Sequence, residues 1–105
     1  MKILVVCGAG ASSAFVAHRM RVTGKERGLT LTVVAGSESD LPGSLNTVDV
    51  LLIGPHLAPR FDRISAQAKK LGVGVALLPQ TVFAARDGIQ ALDLAVSADH
   101  ERSWV

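Results

Sequence analysis

The chain has 105 residues, 49% of them hydrophobic, which fits one globular domain with a single modest core and leaves no room for a second. A formal charge of +2, carried by scattered basic residues without aromatic neighbours for stacking, argues against a nucleic-acid partner. No apolar run approaches the ~20 residues that cross a bilayer, residues 1 to 10 lack a secretory signal's layout, and one cysteine cannot build a disulfide framework and suits a reducing cytosol.

The predicted elements alternate along the chain. Residues 2 to 6, "KILVV", form a continuous apolar run, as expected of a strand covered on both faces. Good helix formers follow from about Ala11 to Arg27, with Ser12 and Ser13 in the first turn and Gly28 placed as the helix stop. On that helix Val16, Met20 and Thr23 form one stripe and Phe15 and Val22 a neighbouring one, while Arg19, Arg21, Lys25 and Arg27 read as a solvated face. "LTLTVVA" (29 to 35) alternates and is rich in β-branched residues, which predicts a second strand. Residues 36 to 47 are turn-rich, with room for one helical turn. "VDVLLI" (48 to 53) reads as a third strand ended by Gly54-Pro55, with Asp49 near its start as a pairing or solvent-facing residue. A helix is expected from about Ala58 to Leu71, with Pro59 at its first position and Gly72 at its end. "VGVALL" (73 to 78) is a fourth strand closed by Pro79. A last helix spans 81 to 98 with a break near Asp87-Gly88, and the charged tail from about 99 to 105 is expected to fray.

Strands alternating with helices over this length imply a single α/β domain over 1–105: a four-stranded parallel sheet with right-handed crossovers and helices on both faces. Such sheets bind ligands beyond the carboxyl ends of their strands. Cys7, Gly54-Pro55-His56 and Pro79-Gln80 each follow a strand directly, so the fold gathers them on one edge.

Cys7 is the chemically distinctive residue. Desolvation by the strand raises a thiol's pKa, whereas backbone N–H groups and the positive end of a helix dipole lower it. An exposed position at the strand tip would let the lowering influences win and favour the thiolate. The loop Gly8-Ala9-Gly10-Ala11-Ser12-Ser13 carries only small residues, so an anion can approach the backbone and be cradled by N–H groups. The competing reading is a buried core cysteine beside a tight glycine turn.

Three chemistries fit a thiol beside a phosphate-sized cradle. A cysteine-dependent phosphatase or arsenate reductase needs an arginine six residues after the cysteine to clamp phosphate, and Ser13 stands there instead. A nucleotide- or dinucleotide-binding module would use the glycines, with Glu38 or Asp40 for the ribose, but the third glycine of that fingerprint is missing, as is the lysine of a Walker loop. A phosphocarrier needs a covalent acceptor and a cradle, with no base, acid, metal or cofactor, and it must avoid hydrolysis. The absent arginine suits it.

"VVCGAGASS", with its C-x-x-G-x-S-S pattern, resembles the phosphorylation loop of the lactose/cellobiose-type IIB components of the phosphoenolpyruvate-dependent sugar phosphotransferase system. "VDVLLIGPHL" (48 to 57) is similar to that family's third-strand segment, "ARDGIQALDLA" (85 to 95) to its closing Asp-Gly helix, and Arg19-Met20-Arg21 to a basic-Met-Arg triplet. The resemblance implies a cytoplasmic phosphoryl relay that visits the inner face of the membrane. Cys7 would accept phosphate from a phosphohistidine on a IIA component and give it to a sugar held by the IIC permease. Gly8 to Ser13 would bind the phosphate through backbone amides, with the Ser12 and Ser13 hydroxyls as further donors. His56 replaces a common glutamine, Pro79 an acidic residue and Phe83 a tyrosine. Gly54, Pro55, His56 and Pro79 would form the site's rim, where His56 is read either as a modulator of the phosphocysteine or as a hydrogen-bonded loop histidine. His18 and His100 read as surface residues, and no cluster with metal-ligand spacing is present.

Overall fold

The computed structural model describes residues 1–7, 11–41, 43–85 and 87–102, without the side chains of Ala11, Ser12 and Arg102. Strand β1 (Lys2–Cys7) leads into helix α1 (Ala11–Glu26), strand β2 (Thr32–Ser37), two short 3₁₀ turns (Glu38–Asp40 and Gly43–Thr47) and strand β3 (Val50–Ile53). A 3₁₀ segment (Pro55–Arg60) precedes α2 (Phe61–Lys70), then come β4 (Gly74–Leu77), the single-turn α3 (Thr81–Ala84) and α4 (Ile89–Arg102). The sheet is parallel throughout, in the order β2-β1-β3-β4. The α/β fold expected from the alternating pattern is therefore the fold observed.

The two central strands explain the two unbroken aliphatic runs. Ile3, Leu4, Val5, Val6 and Cys7 of β1 and all four residues of β3 are buried, because both faces of the sheet are covered. Side chains alternate between two cores. Ile3, Val5 and Cys7 join Val50 and Leu52 under Val16, Ala17 and Met20 of α1 and Ala91, Leu92, Ala95 and Ala98 of α4. Leu4, Val6, Leu51 and Ile53 pack on the other face with Ile64 and Ala68 of α2 and Leu45 and Leu57 of the 3₁₀ turns. Each fully buried aliphatic side chain contributes about 1.5–3 kcal/mol relative to exposure. On α1 the inner stripe is Val16, Met20 and Thr23, and the neighbouring Phe15 and Val22 stay exposed.

Several boundaries differ from the sequence reading, each for a local reason. β2 begins at Thr32 rather than Leu29 because residues 28 and 29 are used in leaving α1: Gly28 adopts φ +71°, and the Leu29 amide donates to the Gly24 carbonyl at 2.9 Å. Gly72 (φ +72°) ends α2 in the same left-handed manner. β3 starts at Val50; Asp49 just before it accepts the Lys2 amide on its carboxylate at 2.8 Å. Pro59 lies inside the 3₁₀ segment, and α2 opens two residues later at Phe61.

The break in the last helix falls where Asp87-Gly88 places it. A Cβ on Gly88 would sit 2.6 Å from the Arg19 carbonyl oxygen, so glycine alone lets this corner press against α1. Asp87 then opens α4 by accepting the Ile89 amide at 3.1 Å. That helix runs on to Arg102, past Ala98 where the charged tail was expected to fray; residues 103–105 of that tail lie outside the described residues. Among the described residues no helix is long and apolar enough to cross a membrane.

Candidate functional site

The strand order reverses between β1 and β3, because the chain leaves β1 toward β2 on one side and later returns to place β3 on the other. The crevice beyond the carboxyl ends of two such strands is where open α/β sheets bind ligands. Cys7 is the last residue of β1, and Gly54 directly follows β3. The Gly54 amide donates to the Val6 carbonyl at 2.8 Å, and one strand further the Leu78 amide donates to the Ile53 carbonyl at 2.7 Å. Cys7, Gly54 and Leu78 are thereby fixed at one level along this edge, with Pro55-His56 and Pro79-Gln80, which the sequence placed there, following directly.

Cys7 itself is 0% exposed and belongs to the core under α1 and α4. This corrects the expectation of an exposed thiol at the strand tip. A Cβ built on Gly54 would lie 2.8 Å from Cys7 Sγ, so the sulfur rests in the space that this glycine leaves open.

Gly8, Ala9 and Gly10 lie outside the described residues, as do the side chains of Ala11 and Ser12. The backbone of α1 starts at Ala11, four residues after the cysteine, and its first turn carries no acidic side chain. A helix N-terminus presents amide donors not used by the helix's own carbonyls and the positive end of its dipole. The Ser13 hydroxyl, expected as a further donor to phosphate, has a partner within the protein. Ser13 is fully buried, and its hydroxyl donates to the Gly36 carbonyl at 2.9 Å, so that proton ties α1 to β2 rather than being held out for an anion.

The rim is formed by the turns that follow β3 and β4. Gly54 caps the 3₁₀ segment with Pro55 at its first position, and Pro79 offers its carbonyl to the Val82 amide at 3.1 Å to start α3. His56 is exposed and meets the Phe83 ring edge-on, with centroids 6.4 Å apart; together with Gln80 and Ala84 they line a shallow open depression. Sequence reasoning missed the opposite wall. Ser37 is the register partner of Cys7 on β2. Its amide donates to Asp40 Oδ2 at 2.7 Å and its hydroxyl meets Ser39 Oγ at 2.8 Å. Glu38 pairs with Arg60 of the turn after β3. The Ser37-x-x-Asp40 spacing, a capping-box pattern, was the available signal. Glu38 and Asp40, the residues considered for a ribose, are thus engaged within the protein. Among the described residues no three His, Cys, Asp or Glu side chains converge as a metal site would require.

Comparison with known proteins agrees with this architecture. The family model "PTS system, Lactose/Cellobiose specific IIB subunit" matches residues 2–97. The chain is similar to the lactose-specific EIICB component of the phosphotransferase system of Streptococcus mutans, at 27% identity over 92 residues, covering 86% of this chain and 16% of that protein. Among solved structures, the cellobiose-specific IIB component of Borrelia burgdorferi superimposes with a TM-score of 0.77 at 26% identity, over 97% of this chain and 94% of that one. The lactose-specific IIB domain of Streptococcus pneumoniae shares the fold with a TM-score of 0.83 at 15% identity, over 93% and 96% of the two chains.

Proposed function

The chain belongs to the lactose/cellobiose-specific IIB family of the sugar phosphotransferase system, and from that premise we propose that it is a phosphoryl carrier with Cys7 as the acceptor. The observation that supports this reading is the position of Cys7: the last residue of β1, at the point where strand order reverses, ahead of a helix whose first turn holds no carboxylate. An arriving phosphate meets no like charge from that turn and gains from the dipole.

The donor is the phosphohistidine of a IIA protein. As the S–P bond forms, the P–N bond breaks, and the imidazole keeps the electron pair and takes up the proton the thiol gives away. In the second transfer a sugar hydroxyl oxygen, held by a IIC permease, displaces the sulfur, and the hydroxyl proton ends on the regenerated thiol. Phosphoryl transfer asks the protein mainly for positioning and charge stabilisation. The backbone from Gly8 to Ser13 supplies these, with the Ser12 hydroxyl as a further donor. No cofactor is required. The match to an EIICB protein supports a IIC partner, and the carrier works on the cytoplasmic side, transiently at the membrane. His56 and Phe83 form the part of the rim that partners meet. Both dockings are brief, so the rim is small.

Incubation with a phosphorylated IIA donor should add a single phosphate, located at Cys7 by mass spectrometry and absent in Cys7→Ser. Chase with the IIC permease and its sugar should remove it. Steady turnover of an aryl phosphate by the isolated chain would instead establish a phosphatase. Tight nucleotide binding that survives Cys7→Ser would establish a nucleotide-binding module.

A further inference from the structure

Gly54 has no conformational need to be glycine. Its backbone sits at φ −65°, ψ 153°, where any residue is at ease. Its amide is already committed to Val6, so its position is fixed by the ladder. What a side chain there lacks is room: a Cβ would lie 2.8 Å from Cys7 Sγ and 3.3 Å from both Cα and Cβ of Cys7. The nearest of these atoms is the tip of a side chain, whereas the two at 3.3 Å require only a slight adjustment. Meanwhile the thiol is 0% exposed.

We propose that Gly54 is a positioning residue that provides a shielded resting place for the Cys7 thiol, from which the sulfur must turn outward about its Cα–Cβ bond to react. The proposal rests on the phosphoryl-carrier reading for its purpose but not for its test. A sulfur with no exposed surface offers no line of approach to a donor phosphorus, and the three oxygens that phosphorylation adds to it need space outside its buried position. The thiol therefore has two positions: an inward one that protects the unphosphorylated carrier from alkylation and oxidation, and an outward one for transfer. Its apparent reactivity is scaled by the fraction of time spent outward.

The test is the rate at which Cys7 displaces iodide from iodoacetamide, forming a C–S bond as the C–I bond breaks. The native chain should react at least about tenfold more slowly than the urea-unfolded chain at the same pH, and Gly54→Ala, which denies the sulfur its space, should recover most of that factor. The gain in Gly54→Ala must be independent of urea well below the unfolding transition, since a merely destabilised protein would show a rate that climbs with denaturant. If Gly54→Ala does not fold, the wild-type chain carries the test through the Gly54 amide resonance, which should move when Cys7 is phosphorylated or alkylated. Native alkylation as fast as in the unfolded chain, or a Gly54 resonance unmoved by modification of Cys7, would overturn the proposal. A chain that resists alkylation yet takes no phosphate from the donor would overturn the carrier reading while leaving the shielded thiol standing.

Discussion

The amide of Gly88 donates to Thr23 Oγ1 at 2.9 Å in a buried contact that joins the corner before α4 to the last turn of α1. The same corner brings Gly88 against the Arg19 and Met20 backbone, so it ties the start of α4 to α1, the two helices that cover the Cys7 face of the sheet. Replacing Gly88 with alanine forces its Cβ within 2.6–2.7 Å of three main-chain atoms that have nowhere to go. Gly88→Ala should lower stability by about 1–3 kcal/mol, and Thr23→Val, which orphans a buried amide, by a similar about 1–3 kcal/mol. Urea unfolding of each variant and of the pair measures both, and the pair should be less than additive because one contact is shared.

Ser13→Ala separates the anchoring role of this side chain from a phosphate-binding one. Its hydroxyl is given to the Gly36 carbonyl, so the variant should lose about 0.5–1.5 kcal/mol of stability. It should still accept phosphate from the donor at a rate within about threefold of wild type, since a single neutral hydrogen bond not made to the phosphate has little leverage on transfer. Stopped assays of phosphate incorporation decide this. A loss of acceptance with unchanged stability would return the hydroxyl to the cradle.

Arg21 closes an edge. Its Nε donates to the Val33 carbonyl at 2.9 Å and Nη2 reaches the same oxygen, occupying an acceptor on β2, which is an outer strand of the sheet. Arg21→Ala should cost about 1 kcal/mol, and Arg21→Lys should recover only part of it, because an ammonium cannot place two donors on one oxygen in the same fixed fork. Hydrogen exchange of the β2 amides provides a second readout.

Arg27 and Asp93 form an ion pair at 2.9 Å with both side chains well exposed. Arg27→Ala should change stability by no more than about 0.5 kcal/mol, with the small effect fading as salt is added. A much larger loss would mean that this pair, rather than the Gly88 corner, holds α4 to α1.

The order and type of the regular elements were legible because each rests on local pattern. "KILVV" and "VLLI" are unbroken aliphatic runs since both strands lie between two helical layers, and Gly28 and Gly72 end helices with the positive φ that marks such stops. The start of β2 was not legible, because Leu29 looks like a strand residue until the Gly24 carbonyl claims its amide. The Pro55–Arg60 segment was hidden for a similar reason: Pro59 is as acceptable in a 3₁₀ turn as at the head of an α-helix. At the site, the gathering of Cys7, Gly54 and Pro79 on one edge followed from their places at or just after the carboxyl ends of parallel strands. The depth of Cys7 did not, since α1 and α4 cover it and Gly54, far along the chain, leaves space beside the sulfur. The hydrogen bond of the Ser13 hydroxyl was not legible for the same cause, its acceptor being Gly36 on a different strand. Local pattern announces which residues reach the edge, and only tertiary contacts decide how far each is withdrawn from it.

The strand order also governs the nascent chain. β1 needs neighbours on both sides, yet Val33 and Val50, which face Ile3, are synthesised after it, and so is Gly54. Until that stretch is made, the space beside Gly54 in which the Cys7 sulfur rests does not exist. On the proposal that Gly54 shelters the thiol, that shelter requires β3 to have paired with β1, a contact between segments more than forty residues apart.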